Sequence, residues 1–251
     1  MISRVPAAGL ILGGGGSRRM GGRKLDLPWG NGTLLSNIVE VMAEAVSEVW
    51  LVGYHPRSVR RRPACLQLLV DELRVGPAGG LLLGLETMIS PVAVVTAADM
   101  PFVDGEAIRR LWELSQGAMV TVLRTCDGLH PLFGVYDKEC LPPLRAAVGR
   151  GDFRMTAFWN GLSVRIIDVG DDDFWNRAVL NINSADDYRR ALSYGGSAGV
   201  TGRLARDSES QAQRSTLRGE SQSVQFGFEL ADVPLEGEST PDVLPGRSAH
   251  L

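Results

Sequence analysis

The chain has 251 residues, 44% of them hydrophobic and 22% charged, which is the composition of a soluble globular protein with enough sequence to bury a core. Its 26 basic and 29 acidic side chains give a net charge of -3, which excludes a strongly basic surface that binds nucleic acid by neutralising phosphates. The three cysteines, Cys65, Cys126 and Cys140, are far apart. We therefore expect neither a metal knuckle nor a redox dithiol, and a reducing cytoplasm suits them.

The two ends of the chain differ from its middle. The apolar stretch from Ala7 to Leu12 is too short for a signal-peptide core or a membrane span, and predicts a first strand. From Gly195 the sequence is rich in Gly, Ser, Arg and Gln, with five arginines against eight acidic residues, and cannot bury a core. We predict one folded domain over residues 1–194 and a disordered tail over 195–251, within which residues 224–235 are a candidate docking segment.

Between these ends, short apolar runs alternate with amphipathic stretches. The runs that predict strands are AAGLILG, EVWLVGY, QLLVD, VAVVTAAD, AMVTVL and PLFGVYD. Helical spacing of apolar residues predicts helices over 33–48 and 104–116, the second capped by Asp104. Several strands are apolar on both faces, as when helices cover a parallel sheet. This order predicts an α/β fold, a Rossmann-like open, mostly parallel sheet with helices on both faces in a single domain, with ligands beyond the carboxyl ends of the strands.

The loop after the first strand reads LILGGGGSRRMGGRKL. Its four glycines, Gly13 to Gly16, let the backbone approach a ligand and turn its N–H groups toward phosphates. The spacing matches neither the Rossmann Gly-x-Gly-x-x-Gly fingerprint nor the Walker loop. Because Arg19 and Lys24 follow, the loop suits a nucleoside triphosphate, whose charge must be offset during transfer. The alternative is a solvated charge run, which is the better interpretation of Arg18 and Arg23.

A single acid, Asp99, ends the apolar strand VAVVTAAD, and a proline soon follows. A carboxylate at the carboxyl end of a buried strand faces the ligand crevice, and its hard oxygens suit Mg²⁺ on a triphosphate. We therefore predict Asp99 as a metal ligand. The alternatives are a helix cap or a salt bridge to an arginine.

The pattern Leu-Gly-Gly-Gly-x-Ser-x-Arg-Met-Gly-x-x-Lys, Leu12 to Lys24, resembles the signature of nucleotidyltransferases that build molybdenum cofactor dinucleotides, and in particular the molybdenum cofactor guanylyltransferase family. Most members have Ala where this chain has Gly13, a change that should only loosen the loop. Later segments match in order: VDELRVGPAGGLLLGL, TAADMPFVD, HPLFGVYD, GDFRM and VLNINSADDY. The resemblance covers roughly residues 7 to 192.

The resemblance implies transfer of GMP from GTP to molybdopterin-bound molybdenum cofactor, with Mg²⁺ as cofactor and pyrophosphate as leaving group. Catalytic roles fall on Arg19, Lys24 and Asp99, with Asp99 as the metal ligand. The implied nucleotide-binding residues are Leu12, Gly13, Gly14, Gly15, Lys24, Asp71, Gly80 and Asp99. Partners beyond the substrates would be molybdoenzymes or proteins that insert the cofactor. No nucleic-acid or membrane partner is expected.

Several candidate residues lie in the segments that carry this resemblance. Asp71 matches an aspartate of the GTP site, where it could accept hydrogen bonds from guanine N1–H and N2–H₂ or from ribose hydroxyls; the alternative is a surface acid. Asn181 and Asn183 alternate in VLNIN, so we expect them on one side of a strand, near the molybdopterin acceptor. The alternative for Asn183 is that, with Ser184, it starts the last helix. His130 either lines the acceptor side or is a polar residue at a strand start.

Three other functions remain open from the sequence. The chain could use CTP on the same cofactor, or a sugar phosphate as acceptor. It could also be a scaffold that binds GTP without turnover and recruits a partner through its tail. The cations and the acid described above favour an enzyme.

Overall fold

The structure is a computed structural model of the protein and describes residues 4–13, 24–53, 63–72 and 74–194. Its strands are β1 (Val5–Leu12), β2 (Pro28–Trp29), β3 (Gly32–Thr33), β4 (Val46–Val52), β5 (Leu66–Leu69), β6 (Val92–Ala97), β7 (Val120–Thr125), β8 (Gly128–Asp137) and β9 (Val164–Gly170). Its helices are α1 (Leu34–Ala45), α2 (Pro77–Thr87), α3 (Gly105–Ser115), α4 (Leu141–Gly149), α5 (Asp173–Ala178) and α6 (Ala185–Ser193). The predicted tail lies outside the described residues.

The central sheet has seven strands in the order β5-β4-β1-β6-β8-β7-β9, and β2 pairs with β3 in a separate small hairpin. β1 pairs in parallel with β4 on one side and β6 on the other. β8 is antiparallel to both β6 and β7, while β9 is parallel to β7. Six of the seven strands therefore run in one direction, which confirms the prediction of a mostly parallel sheet.

Both faces of the sheet are covered, because the central strands are apolar on both sides. Seven of the eight residues of β1 are buried. Apolar residues of α1, α3 and α5 pack in the core on one face, and those of α2 and α4 pack on the other. The helices on both faces confirm the predicted architecture and leave the strand ends as the place for a ligand.

Some elements differ from the predictions. α1 begins as expected after Thr33, whose hydroxyl accepts the Ser36 N–H, but it ends at Ala45 rather than at residue 48. The helix ends early because Val46 already pairs with Val5 in the sheet. β9 was not predicted, since its mostly exposed residues at the sheet edge carry a weak apolar pattern. In the part of the chain that the structure describes, no helix has the length and apolar character to cross a membrane.

Candidate active site

The candidate site lies at the carboxyl edge of the sheet, where the strand order reverses around β1. The backbone there is joined across neighbouring strands: the Gly13 N–H donates to the Val52 carbonyl at 2.8 Å, and the Ala98 N–H donates to the Leu12 carbonyl at 3.0 Å. The start of the glycine loop is thus held between the ends of β4 and β6. Such a reversal opens the crevice in which α/β proteins bind ligands. Gly14, Gly15 and Arg19, also predicted for this site, lie outside the described residues.

Lys24 and Asp99 meet at this edge. The Lys24 Nζ lies 2.6 Å from the Asp99 Oδ2, and the two side chains are only 11% and 20% exposed. The two residues are 75 positions apart in the chain, so the fold brings them together. A salt bridge to an arginine was one alternative for Asp99. Asp99 does form a salt bridge, but with a lysine.

Lys24 is held by the turn that it begins. Residues Lys24–Asp26 form a short 3-10 helix, and the Leu27 N–H donates to the Lys24 carbonyl at 3.2 Å. Leu25 is 5% exposed and packs in the core with α1. Burial of this neighbour fixes the backbone of Lys24 and leaves its side chain directed along the crevice to Asp99.

Asp99 is held by a tight turn that follows β6. The Met100 N–H donates to the Ala97 carbonyl at 3.4 Å, and the Ile182 N–H donates to the carbonyl of Asp99 itself at 3.0 Å. The Asn37 amide donates to the Pro101 carbonyl at 3.2 Å, which ties the turn to α1. Asp104, at the end of this loop, accepts the Ala107 N–H at 2.8 Å and caps α3, as predicted.

The Asp99 carboxylate would be the ligand for magnesium on a triphosphate. One carboxylate oxygen bonds to Lys24, and the other makes no hydrogen bond to the described residues. Among those residues, no group of three or more His, Cys, Asp or Glu side chains could hold a metal ion. Mg²⁺ is commonly held by one or two carboxylates together with substrate phosphates and water, so the Asp99 oxygen that makes no described hydrogen bond would fit this ion.

Asp71 lies just beyond the end of β5, at the same edge of the sheet. Its side chain is buried, at 8% exposure, and its Oδ1 accepts the Arg74 N–H at 3.1 Å. Arg74 has a φ of 50°, in the left-handed region that non-glycine residues rarely adopt. Asp71 is therefore not a loosely held surface acid, since it stabilises a strained turn between β5 and α2.

The glycine segment before α2 also reaches this edge. Gly76 precedes the helix with a φ of 93°, a conformation that favours glycine. Gly80 is buried in the first turns of α2, where its N–H donates to the Gly76 carbonyl at 3.2 Å. A Cβ at Gly80 would lie 3.4 Å from Leu12 and 3.6 Å from Val52. Gly80 thus packs α2 against the start of the glycine loop.

The prediction that Asn181 and Asn183 share one face of a strand is wrong. Residues 179–183 form no strand, because the N–H of Ile182 bonds to Asp99 and the N–H of Asn183 bonds to the Asp187 carboxylate at 3.0 Å. Asn183 precedes Ser184, which caps α6, so the alternative for Asn183 is correct. Ile182 is buried between the two amides and anchors the segment beside Asp99.

Asn181 is nevertheless placed near the candidate site, next in sequence to the residue that bonds to Asp99. Its Oδ1 is buried and has no hydrogen-bond partner among the described residues. A buried amide oxygen without a donor costs free energy, which a ligand or another part of the chain can recover by donating to it.

His130 lies in β8, near the turn that joins β7 to β8. Its Nε2 is 2.8 Å from the Thr125 hydroxyl. Partial burial lowers the pKa of His130, and the nearby charge of Asp127 opposes this effect only in part. As the third residue of β8, His130 lies at the start of a strand, and its contact with the acceptor stays a prediction.

Arg177, near the Asp99 turn, was not predicted from the sequence. Its guanidinium lies 4.7 Å from the centre of the Phe102 ring. The two line an open hollow of about 330 Å³. Its lining residues are Phe102, Asp104, Asp173, Phe174, Arg177 and Ala178. Nothing in the local pattern marks Arg177, because α5 is short and packs here only through the tertiary fold.

The MobA-like NTP transferase domain is the family whose model matches this chain, over residues 9–163. The chain belongs to this family. It is also 32% identical over 189 residues to the molybdenum cofactor guanylyltransferase of Cereibacter sphaeroides, a match that covers 74% of this chain and 95% of that protein. The resemblance carried by the glycine loop is thereby confirmed, and the chain is a nucleotidyltransferase.

Solved structures of nucleotidyltransferases share the fold of this MobA-like chain. Molybdopterin-guanine dinucleotide biosynthesis protein A from Archaeoglobus fulgidus superposes with a TM-score of 0.60 at 24% identity, covering 73% of this chain and 96% of that one. The 2-C-methyl-D-erythritol 4-phosphate cytidylyltransferase from Thermus thermophilus superposes with a TM-score of 0.55 at 15% identity, covering 77% and 99%. At these identities the likeness concerns the fold.

Proposed function

We propose that this protein transfers GMP from GTP to molybdopterin-bound molybdenum cofactor and releases pyrophosphate. The observation that carries the proposal is the Lys24–Asp99 pair at the reversal point of a nucleotidyltransferase sheet. The names of the relatives support the choice of substrates. A phosphate oxygen of the acceptor attacks the α-phosphorus of GTP, a new P–O bond forms, and the bond to pyrophosphate breaks.

Each residue has a defined part in this reaction. Lys24 and the N–H groups of the glycine loop bind the triphosphate and offset the charge that develops on it, and Arg19 adds a second cation. Asp99 would hold Mg²⁺, which when bound supplies positive charge opposite the leaving pyrophosphate. The attacking phosphate is already an anion, so the reaction needs no general base. No covalent enzyme intermediate is required, because positioning and charge are sufficient.

Asp71 and the segment from Gly76 to Gly80 are the base and ribose side of the site in this proposal. The Oδ2 of the buried Asp71, which makes no hydrogen bond to the described residues, can accept from guanine N1–H and N2–H₂ or from ribose hydroxyls. Asn181 belongs to the acceptor side, where its buried Oδ1 can accept a hydrogen bond from an N–H of the pterin. Asn183 is exposed and bonded to Asp187 through its backbone, so its side chain remains available.

The direct test is a transfer assay with purified protein, molybdenum cofactor, Mg²⁺ and one nucleoside triphosphate at a time. We expect guanine dinucleotide and pyrophosphate to form in equal amounts with GTP. Turnover of CTP instead would indicate the cytidylyl reaction on the same cofactor, and turnover only with a sugar phosphate would indicate another acceptor. GTP binding without pyrophosphate release would indicate a scaffold.

Where the reaction takes place and what receives its product are also parts of the proposal. The three cysteines are free thiols in the structure, which suits the reducing cytoplasm. The product would pass to a molybdoenzyme or to a protein that inserts the cofactor. Copurification of either with the full chain, in a product-dependent manner, would test that step.

A further inference from the structure

The Lys24–Asp99 pair joins an ammonium and a carboxylate, and in the proposed reaction these two groups bind different ligands. The ammonium is the group that a triphosphate needs, and the carboxylate is the group that a divalent cation needs. At 2.6 Å, with both side chains mostly buried, each charge is compensated by the other. A buried charge left without its partner is costly, so a ligand that draws one group away must compensate the charge that is left behind.

Binding of either ligand alone therefore brings two like charges together. A triphosphate without metal would draw Lys24 away and leave Asp99 facing an anion. A divalent cation without nucleotide would take Asp99 and leave a second cation, Lys24, beside it. When both arrive together, the metal compensates Asp99 and the phosphates compensate Lys24, so every charge keeps a partner.

We propose that Asp99 has a second role as the positioning residue of Lys24, and that their pair couples binding of the divalent cation to binding of the triphosphate. The inference rests on the proposed function, since it takes GTP and Mg²⁺ as the ligands of this site. It goes beyond that function because Mg²⁺ and GTP already bind each other in solution. In this proposal the protein adds its own coupling between the binding of the two ligands.

The composition of the chain allows a direct spectroscopic test. The sequence contains two lysines, Lys24 and Lys138. Lys138 donates to the Met88 carbonyl far from this pair, at the opposite edge of the sheet, and serves as an internal reference. With lysine labelled by ¹³C and ¹⁵N in the full chain, we expect Mg²⁺ with GTP to shift the Lys24 side-chain signal strongly. Mg²⁺ alone, or GTP with EDTA, should shift it little, and Lys138 should not respond.

Equilibrium binding of GTP in EDTA gives a second, independent test. The single substitution K24M should change the affinity for metal-free GTP by less than about threefold, because Asp99 already engages Lys24 in the wild type. D99N should bind metal-free GTP about tenfold more tightly than the wild type. Adding K24M to D99N should remove that gain, since the released Lys24 is its source. This non-additivity measures the coupling between the two residues.

E86Q is the matched control. It removes the same negative charge from an exposed pair, in which Arg145 lies 2.6 Å from Glu86. We expect it to leave metal-free GTP binding unchanged, which separates the local pair from the effect of net charge.

The inference is overturned if K24M weakens metal-free GTP binding equally in the wild type and in D99N, or if D99N fails to bind GTP more tightly. It is also overturned if GTP with EDTA shifts the Lys24 signal as fully as GTP with Mg²⁺. Each of these results can occur while the wild type still transfers GMP, so the proposed function would survive it. If the wild type binds no GTP with or without Mg²⁺, both proposals fail.

Discussion

A lysine and a carboxylate lie at each edge of the sheet: the amino edge, where most strands begin, and the carboxyl edge, where they end. The contacts of these charged residues differ between the two edges. At the amino edge, Glu48 accepts hydrogen bonds from the Trp50 indole at 2.8 Å, the Ile89 N–H at 2.8 Å and the Ser90 N–H at 3.1 Å. At the carboxyl edge, the Asp99 carboxylate bonds only to Lys24 among the described residues. A carboxylate saturated by protein donors holds the fold together, and one with a single exchangeable partner can accept a ligand.

The lysines show the same difference. The Nζ of Lys138 donates to the Met88 carbonyl, and the Lys138 N–H donates to the Pro91 carbonyl at 2.8 Å, so this residue ties the end of β8 to the turn before β6. Lys24 instead contacts a side chain from which it can move. Contacts to backbone carbonyls serve structure, whereas a contact between two charged side chains can be exchanged for contacts with charged ligands.

The largest expected effect is on Lys24. Lys24→Ala should lower turnover by about a hundredfold or more, as when one preorganised charge contact to a transition state is lost. Lys138→Ala should leave turnover unchanged and lower the free energy of unfolding by about 1 kcal/mol, the usual worth of a hydrogen bond. Steady-state kinetics and urea unfolding of both variants measure these effects. Near-normal turnover of a folded Lys24→Ala protein would remove the catalytic role.

A substitution of Asp99 sharpens the comparison between the carboxylates. Asp99→Asn keeps the size of the side chain but removes the charge that a divalent cation needs. The Mg²⁺ concentration for half-maximal transfer should therefore rise by about tenfold or more. Glu48→Gln should leave it unchanged, because Glu48 is engaged by protein donors at the other edge. A Mg²⁺ titration of Asp99→Asn that overlays the wild type would reject Asp99 as the ligand.

A smaller effect, on nucleotide affinity, is expected from the choice between guanine and cytosine, which would bind at the α2 side of the carboxyl edge. Mismatched polar groups cost roughly 1–3 kcal/mol each, so GTP should bind about tenfold more tightly than CTP. Thermal unfolding with equal Mg²⁺-GTP or Mg²⁺-CTP should show the larger rise with GTP. Equal rises, or a larger one with CTP, would assign the chain to cytidylyl transfer.

Asp71→Asn separates the two contacts left open for Asp71. The asparagine keeps an Oδ1 that can accept from Arg74, so the strained turn should persist. The difference between GTP and CTP in the rise of the unfolding temperature should narrow if the second carboxylate oxygen contacts the base. This difference should stay unchanged if that oxygen contacts the ribose.

The amino edge gives a prediction on stability and pH. Burial alone would raise the pKa of Glu48, but the hydrogen bonds from Ile89, Trp50 and Ser90 outweigh it and hold the pKa below 4.5. A carboxyl whose pKa is lowered by folding stabilises the protein above its unfolded pKa, and this contribution is lost as the pH falls through the folded pKa. Glu48→Gln should thus cost about 1 kcal/mol near neutral pH.

The same comparison at low pH provides the control. The difference in unfolding free energy between the wild type and Glu48→Gln should shrink as the pH falls below about 4, because only the wild type titrates there. A difference that stays constant from neutral to acid pH would show that the charge of Glu48 contributes nothing.

The smallest effect is expected from removal of residues 195–251, the predicted tail. Truncation after Tyr194 should leave the midpoint of thermal unfolding and the rate of transfer nearly unchanged, since the tail has little apolar surface that can pack. A fall of many degrees would instead indicate that residues 224–235 pack on the domain.

Local patterns in the sequence were enough for the buried strands and for the cap of α3. Strands buried on both faces appear as continuous apolar runs, so β1 and β6 were predictable. Asp104 caps α3 through a contact within three residues, which a sequence pattern records. Asp99 could be assigned to the ligand edge because it directly follows a buried strand.

The tertiary structure alone decided which distant residues meet. The partner of Asp99 is 75 positions away, and no periodic pattern links two such residues. The alternation in VLNIN predicted a strand, but the backbone of Ile182 bonds to Asp99 instead of to a neighbouring strand. β9 was missed because an exposed edge strand is defined by its pairing with β7 rather than by its own hydrophobicity. Contacts across the fold depend on long-range packing, which local sequence periodicity does not record.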